Sequence, residues 1–410
     1  MSGSKYLVYF FIALIAAACS PKVRPVTEPV PTPKKGEKKP VVKVQPPKEA
    51  KPKPSKPAKT PDIALLLPFG LDNVRAGNTY TPVTLREADI ALDYYRGFKL
   101  ALDSLTGRGY SFKLHVFDSR ADKSQAHSLA LNPAVRNSDL IVGPVFPEDL
   151  KTFVNAYPNS PQPVVSPLSA ASPSTFKSPE LVTVIPPLEY HARGAAKYIT
   201  NDIGPKKIFV LKSGYSEEND YIIPFKKAID SLSNKRIQVV YLTVIHGQLG
   251  SLIPQLSATG QNVFVMPSTD RHFLDVTLRG LDSLHNSYPV TLIGHPSWVN
   301  LSFLKPDLLE RLDTHITSSD RIDYKAANTI NFLAAYRRIY KVEPTAYAIK
   351  GFDEGLYFGS LLGEGDVKQM DADDFKGLHN RFTLKKTNLG WVNTHVGIYK
   401  YSNFELKKVE

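Results

Sequence analysis

The sequence predicts an α/β protein with two lobes, each built around a parallel β-sheet. Short apolar runs, typical of strands buried on both faces, recur along residues 62–410. Segments with apolar residues at spacings of three and four separate these runs and predict helices. The strand candidates form two sets, before and after Pro186 and Pro187, and this division favours two lobes over one wide sheet.

The first set begins directly after Pro61. Residues 63–67 form a continuous apolar run that stops at Pro68, and they predict a buried strand. A polar loop is expected over about 71–86, followed by a helix whose apolar residues run from Ile90 to Leu105. The other strand candidates of this set are 112–118, 140–144 and 164–166.

The second set repeats the alternation of strands and helices. Its strand candidates are 207–211, 237–243, 262–266 and 290–294, and helices are expected over 190–201 and 220–232. We therefore predict one two-lobed domain over 62–410. The first lobe comprises about 62–186 plus part of 300–365, and the second comprises about 187–299 plus the C-terminal segment.

Residues 1–18 have the pattern of a secretory signal peptide. Lys5 precedes an apolar run of thirteen residues, which is short for a membrane span of about 20. Small residues at 16–18 stand directly before Cys19, and this arrangement resembles the lipobox of bacterial lipoproteins. The resemblance implies cleavage before Cys19 and its lipidation. The alternative is an ordinary signal peptide with an incidental cysteine.

Cys19 is the only cysteine of the chain, so an intramolecular disulfide framework and a cysteine-based metal site are excluded. Ser20 follows it, where an Asp is typical of inner-membrane retention. This comparison favours anchoring at the outer membrane, on its periplasmic face.

Residues 19–61 predict an extended, disordered linker. Twelve of the 33 prolines and +9 of the formal charge of +12 fall within 21–61. Fixed proline φ angles and repulsion between lysines favour an extended chain, which reaches on the order of 120 Å over about forty residues. Lys5 carries one further charge, so 62–410 carries only +2. No basic stripe with interleaved aromatics remains there, and we expect no nucleic-acid partner.

A family resemblance extends over essentially all of 62–410. The segments that carry it include IALLLPF, DYYRGFKLALDSL, LIVGPV, VVSPLSAAS and KKIFVLKSGY, in this order. Together they resemble the type I periplasmic binding proteins, which implies two Rossmann-like lobes. Two branches are relevant: branched-chain amino-acid receptors, and the C-terminal domains of outer-membrane lipoproteins that activate penicillin-binding proteins. The opening strand, the VGP turn and the anchor favour the second branch.

Ligands of open α/β sheets bind beyond the carboxyl ends of the strands, where helix N-termini offer free N–H groups. The candidate ligand-binding residues are Phe69, Ser119, Ser166, Ser169, Tyr215, Ser268 and Asp353. His295 also follows a strand, but a histidine before a proline is more typical of a loop.

The resemblance to amino-acid receptors implies roles for four of these residues. Ser166 and Ser169 would bind an α-carboxylate, and Tyr215 would cover the ligand. Asp353 would pair with an ammonium group, although it also suits the cap of a helix. For each serine, a helix cap or a turn is the alternative explanation.

The sequence does not indicate an enzyme. It lacks a G-x-S-x-G elbow, an H-E-x-x-H pair and a phosphate-binding G-x-x-x-x-G-K-[ST] loop, and we expect neither a cofactor nor a metal. The leading hypothesis is a lipid-anchored receptor or scaffold that regulates peptidoglycan synthesis through a synthase partner. The alternatives are a receptor for a small amino-acid-like solute, with lobes that close around it, and a purely structural envelope protein.

Overall fold

The computed structural model describes residues 60–74, 80–365, 367–372 and 374–409. The predicted signal peptide, the predicted lipidation site Cys19 and all but the last two residues of the predicted linker lie outside these residues.

The strands that belong to the two large sheets or to a short hairpin are numbered in chain order. They are β1 (Asp62–Leu67), β2 (Lys113–Asp118), β3 (Leu140–Val142), β4 (Val164–Ser166), β5 (Leu181–Thr183), β6 (Lys207–Lys212), β7 (Gln238–Thr243), β8 (Asn262–Met266), β9 (Val290–Gly294), β10 (Thr314–Ser318), β11 (Phe375–Lys376), β12 (Arg381–Phe382), β13 (Leu384–Thr387), β14 (Gly390–Asn393), β15 (Gly397–Ser402) and β16 (Glu405–Lys408).

The α-helices are numbered in the same way. They are α1 (Pro82–Thr106), α2 (Lys123–Leu131), α3 (Pro133–Arg136), α4 (Pro147–Ala156), α5 (Leu188–Tyr198), α6 (Asn219–Leu232), α7 (Arg271–His285), α8 (Pro306–Arg311), α9 (Ala327–Tyr340) and α10 (Ala346–Glu364). Short 3₁₀ turns and one π turn (Ile199–Ile203) complete the helical elements. No described helix combines the length and apolar character that crossing a bilayer requires.

Two seven-stranded sheets confirm the predicted fold class. The first has the order β13-β14-β5-β4-β3-β1-β2, and the second has the order β16-β15-β10-β9-β8-β6-β7. Within each sheet the five strands from the earlier part of the chain are parallel. We call the halves built on these sheets lobe 1 and lobe 2.

The apolar run in β1 is buried because helices cover both faces of its sheet. Ile63, Leu65 and Leu67 face the side that contains α1 and α10. Ala64 and Leu66 face the opposite side, with α2 and α4. This alternation follows from the period of two along a strand, and it explains why both faces of β1 require apolar residues.

Helix α1 begins earlier than expected. The polar loop predicted over about 71–86 is wrong in its last five residues, because the helix starts at Pro82. Thr81 and Thr84 form a reciprocal cap, in which each side chain accepts a hydrogen bond from the other residue's backbone N–H, at 3.1 and 2.9 Å. The first turn is largely exposed, so it lacks the apolar periodicity on which the prediction depended.

The C-terminal part of the chain divides between the lobes. The sequence assigned this segment to the second lobe, and β15 and β16 do join that sheet, whereas β13 and β14 complete the first sheet. Three connections therefore run between the lobes, over residues 184–187, 319–326 and 394–396. Proline does stand at the first of these, as Pro186 and Pro187.

Candidate functional site

The carboxyl ends of β1 and β2 bring two of the predicted residues together. The backbone N–H groups of Phe69 and Ser119 both donate to the carbonyl of Leu67, at 3.0 and 2.8 Å. The Phe69 ring is half-buried and lies edge-on to Tyr95, with 6.2 Å between ring centroids. The Ser119 hydroxyl is buried and has no hydrogen-bond partner among the described residues.

The two serines that follow in lobe 1 have different environments. Ser166 is the last residue of β4, and its buried hydroxyl also lacks a partner among the described residues. The hydroxyl of Ser169 accepts a hydrogen bond from the N–H of Ala171 at 3.2 Å. Ser169 thus forms the local turn that the sequence offered as its alternative role.

The candidates of lobe 2 also follow parallel strands. Tyr215, after β6, is 62% exposed. The hydroxyl of Ser268, after β8, accepts from the N–H of Asp270 at 3.3 Å, and its carbonyl accepts from the indole N–H of Trp298 at 2.8 Å. His295, after β9, accepts at Nδ1 from the N–H of Ser297 at 3.1 Å.

Asp353 does not stand at a strand end. It lies inside α10, which is capped by Thr345, so it does not cap that helix. Its fully buried carboxylate accepts from the N–H groups of Leu378 and His379, at 2.8 and 2.9 Å, and contacts Nδ1 of His379 at 2.5 Å. These three donors occupy the carboxylate that was expected to bind an ammonium group.

A cavity of about 420 Å³ lies where the first and second connections leave the lobes, and we call it the inter-lobe cavity. It is lined by Ala170, Pro186, His191, His295, Thr317, Ser319 and Asp320, among others. Nδ1 of His191 lies 3.0 Å from the hydroxyl of Thr317. Asp320 is paired with Lys350, so this acid is already neutralised.

Both histidines of the inter-lobe cavity are uncharged at neutral pH. Burial lowers the pKa of His191 to about 4, and the positive charge of a protonated His295 contributes in the same direction. Burial likewise lowers the pKa of His295 to about 4. The cavity therefore offers neutral imidazoles and hydroxyls, which suit an uncharged hydrogen-bonding group better than a zwitterion.

A larger pocket of about 880 Å³ lies on lobe 2, beside the β15–β16 hairpin, and we call it the aromatic groove. Its aromatic residues are Trp298, Tyr324, Tyr399, Tyr401 and Phe404. Trp298 forms a buried floor, whereas Tyr324 and Phe404 are 57% and 72% exposed. The groove thus combines apolar area with exposed aromatic side chains, as protein-binding surfaces do.

Sequence reasoning did not find His191, Thr317 or the aromatic groove. His191 and Thr317 are 126 residues apart in the chain, and no periodic pattern reports such a contact. Residues 314–318 were not identified as a strand because threonine, histidine and serine surround a single isoleucine, so they form no apolar run. Their β-branched residues were the available signal.

The sequence has no match among protein-family models and none among curated proteins. Solved structures do match the fold. An ABC transporter substrate-binding protein from Desulfitobacterium hafniense, in complex with Leu, is 16% identical with a TM-score of 0.55, and the match covers 86% of this chain and 100% of that one.

LpoA from Haemophilus influenzae also matches the fold. Its C-domain, described as a regulator of PBP1A, is 14% identical with a TM-score of 0.56, and the match covers 85% of this chain and 100% of that one. Full-length LpoA is 13% identical with a TM-score of 0.56, over 86% of this chain and 59% of that one. This chain has the type I periplasmic binding fold, as the resemblance implied, and at these identities the likeness extends to the fold alone.

Proposed function

We propose that this chain is a non-catalytic, lipid-anchored protein of the bacterial periplasm that binds a peptidoglycan synthase through the aromatic groove. The observation that carries the proposal is Phe404, an exposed aromatic residue held in a backbone conformation that favours glycine. The proposal also gives Cys19 the role of outer-membrane anchor and residues 19–61 the role of a spacer toward the cell wall.

Phe404 occupies the second position of the two-residue turn between β15 and β16. Asn403 and Phe404 have φ angles of 53° and 62°, in the left-handed region. Such turns favour Asn followed by Gly, and a bulky residue there costs on the order of 1 kcal/mol. Glu310 holds the turn by accepting hydrogen bonds from both backbone N–H groups, at 3.0 and 3.3 Å.

Local strain at an exposed aromatic residue points to a binding role. The Phe404 side chain is 72% exposed, so it gains little from packing within its own chain. A residue that is strained and unburied is retained more readily when a partner buries it. The partner class is supported by the LpoA C-domain, which shares the fold and is described as a regulator of PBP1A.

The test is binding to the purified peptidoglycan synthases of the source bacterium. Phe404→Ser and Tyr324→Ser should each weaken binding by at least about tenfold, because a central aromatic residue contributes about 2 kcal/mol. The matched control is Ile223→Ser on α6, which removes a lobe 2 side chain that is 65% exposed and lies outside the groove. Equal loss in the control, or no binding to any synthase, contradicts the proposal.

The anchor has its own test. Cys19→Ala should move the protein from the membrane fraction to the soluble fraction, because a single site holds the acyl chains. If the variant remains in the membrane fraction, the lipid-anchor proposal is wrong, whatever the outcome for the groove.

A receptor for a small solute is the second candidate, and the inter-lobe cavity favours it. Asp353 argues against a free amino acid as that solute, because its carboxylate is already occupied by three donors. A thermal-shift screen with amino acids, short peptides, nucleotides and muropeptides tests this candidate. A ligand at 100 times its Kd stabilises by about 2.7 kcal/mol, and this shift should disappear in a Ser166→Ala, Ser169→Ala variant.

A further inference from the structure

A third pocket of about 520 Å³ adjoins the inter-lobe cavity, with which it shares Ser318 and Ser319, and we call it the cationic pocket. It forms where the second connection meets the loop before β12 and the strands β15 and β16. Lobe 1 contributes residues 376–381, and lobe 2 contributes Tyr399 and Lys408. A molecule bound there would contact both lobes.

Positive charge dominates the lining of this pocket. Arg321, Lys376, Arg381 and Lys408 line it, against one acid, Asp323. Arg381 is paired with Asp374 outside the pocket, at 2.6 Å. Over the described residues, the other three cations have no carboxylate within 4.0 Å.

The N-terminus of helix α9 opens onto the same pocket. Residues 326–329 line it, and α9 runs for 14 residues from Ala327. The N-cap residue, Ala326, has no side-chain oxygen that could accept a hydrogen bond from the first turn. The backbone N–H groups of the first turn and the positive end of the helix dipole therefore remain available to an anion.

Two buried polar side chains of the lining have atoms without partners among the described residues. His379 and Asn380 are 3% and 6% exposed, and Nε2 of the first and Nδ2 of the second have no hydrogen-bond partner. Oδ1 of Asn380 accepts from the N–H of Arg381 at 2.7 Å, so its NH₂ group is the part left free. Nδ1 of His379 is engaged by Asp353, so Nε2 is the remaining atom of its ring.

Buried polar atoms without partners are uncommon and call for a bound group that satisfies them. Here they coincide with an uncapped helix N-terminus and with three cations that lack a neighbouring carboxylate. An oxyanion would satisfy the NH₂ group of Asn380, the N–H groups of the helix and the cations, whereas Nε2 of His379 accepts a hydrogen bond when Nδ1 donates to Asp353 and would need the P–OH of a hydrogen phosphate. The excess of cations over acids is larger than a single carboxylate can neutralise, and it suits a group with two negative charges and three acceptor oxygens.

We propose that the cationic pocket binds a phosphate group, either as free phosphate or as the phosphomonoester of a larger molecule. The NH₂ group of Asn380 and the first turn of α9 donate hydrogen bonds to the phosphate oxygens, and Lys376, Lys408 and Arg321 supply the balancing charge. The pocket shares Arg321, Asp323, Tyr399 and Lys408 with the aromatic groove, but phosphate binding is a function different from synthase binding, and it is tested without any synthase.

The experiment is isothermal titration calorimetry on the full chain in a buffer that contains no other oxyanion. The probes are inorganic phosphate and, in a separate arm, glycerol 3-phosphate. Vesicles of phosphatidic acid in phosphatidylcholine form a third arm, with pure phosphatidylcholine as their control. Saturable binding of the soluble probes alone assigns a soluble source, and binding of the phosphatidic acid vesicles in addition assigns a lipid headgroup.

The matched pair of variants is Lys408→Gln and Lys407→Gln. The two lysines are adjacent on β16 and both are exposed, but only Lys408 lines the pocket. Lys408→Gln should weaken phosphate binding about tenfold and Lys407→Gln less than about twofold. Asn380→Asp, which keeps the acceptor for Arg381 but places a negative charge in the pocket, should weaken binding by about a hundredfold or more.

Two results overturn the proposal. One is the absence of saturable binding of inorganic phosphate and glycerol 3-phosphate at concentrations up to about 10 mM, a range that includes weak sites. The other is binding that Lys408→Gln and Asn380→Asp leave unchanged. Thermal melting of each variant shows whether it is folded. If the Asn380 variant does not fold, the Lys408 variant still decides the test, because Lys408 is exposed and its substitution should not disturb folding.

Discussion

The two lobes repeat one strand order but place their polar and aromatic side chains differently. In each sheet the five strands from the earlier part of the chain are parallel and lie in the same spatial order, and two strands from the C-terminal part complete one edge. Lobe 1 buries two adjacent carboxyl groups, those of Asp353 and Glu354, on helix α10. Lobe 2 leaves Phe404 exposed at the aromatic groove, and the second connection leaves Tyr324 exposed there. A shared topology thus supports different chemistry in its two copies.

The buried polar groups of lobe 1 depend on a close approach of α1 and α10. A Cβ atom added to Gly97 would lie 1.8 Å from the carbonyl oxygen of Ala348, so the helix backbones are almost in contact. This approach brings the Tyr94 hydroxyl to 2.7 Å from a carboxylate oxygen of Glu354. We therefore assign these carboxylates to the stability of lobe 1, and we look for binding on the surfaces of lobe 2 and of the connections.

Gly97→Ala should have the largest effect on stability. The added methyl group would meet backbone atoms at 1.8 Å, so α1 and α10 must separate. We expect a loss of more than about 4 kcal/mol in the free energy of unfolding, measured by urea denaturation.

The control for this prediction is the helical glycine Gly194 in α5 of lobe 2. A Cβ atom there would lie 3.4 Å from the nearest atom, a methyl group of Val396. Gly194→Ala should leave stability unchanged or raise it by up to about 1 kcal/mol, because alanine is the better helix former. If both variants behave alike, the close approach of the helices in lobe 1 is not as described.

Asp353→Asn is expected to destabilise by roughly 3 kcal/mol. The substitution keeps the shape but removes the charge that receives two backbone N–H groups and His379, and broken buried pairs typically cost this much. The readout is again urea denaturation, together with binding of any solute found in the screen. Unchanged stability with lost solute binding would restore the original prediction that Asp353 holds a ligand.

The buried titratable groups of the two lobes should make the free energy of unfolding depend on pH in opposite directions. Burial lowers the pKa of His191 in lobe 2 to about 4, below its ordinary value of 6.5. Between these values the unfolded chain takes up a proton that the folded chain refuses, so the free energy of unfolding falls as the pH is lowered from about 6.5 to 4. The expected loss is up to about 3 kcal/mol.

Glu354 in lobe 1 acts in the opposite direction. Burial raises its pKa well above 4.5, so the folded chain keeps a proton that the unfolded chain releases. Stability therefore falls as the pH rises above about 4.5. His191→Asn should lessen the loss of stability on the acid side only, because His295 has a similarly lowered pKa and retains its part of that loss. Glu354→Gln should lessen the loss on the alkaline side only. A pH profile that neither substitution alters would show that other groups control it.

The sequence was a good guide to elements and a poor guide to contacts. Residues 63–67 were identifiable because both faces of β1 are buried and every residue is apolar. The strands β5 and β10 were missed because threonines interrupt their apolar residues, so neither forms such a run. Of the predicted ligand residues, the serines and Tyr215 do follow strand ends, because the carboxyl ends of parallel strands share one edge.

The contacts that define the pockets could not be predicted in this way. Asp353 was given a ligand role because nothing in the local pattern showed that residues 378–379 fold back onto it. Phe404 was not noticed because Asn-Phe is not a typical hairpin turn, where Asn-Gly would have been. Periodicity reports the exposure of neighbouring residues, whereas these sites depend on packing between distant segments.

Phe404→Gly should have the smallest effect on stability and a large effect on binding. Glycine adopts the φ of 62° without a Cβ clash, so we expect a gain of up to about 1 kcal/mol in the free energy of unfolding. The same substitution removes the exposed aromatic side chain and should weaken synthase binding by at least about tenfold. Asn403→Gly changes the other turn position, where Asn is already a favoured residue, and keeps the aromatic ring, so it should leave both stability and binding nearly unchanged. A Phe404→Gly variant that is more stable and still binds would mean that the strain in this turn serves no partner, and the difference between the lobes would then be one of folding alone.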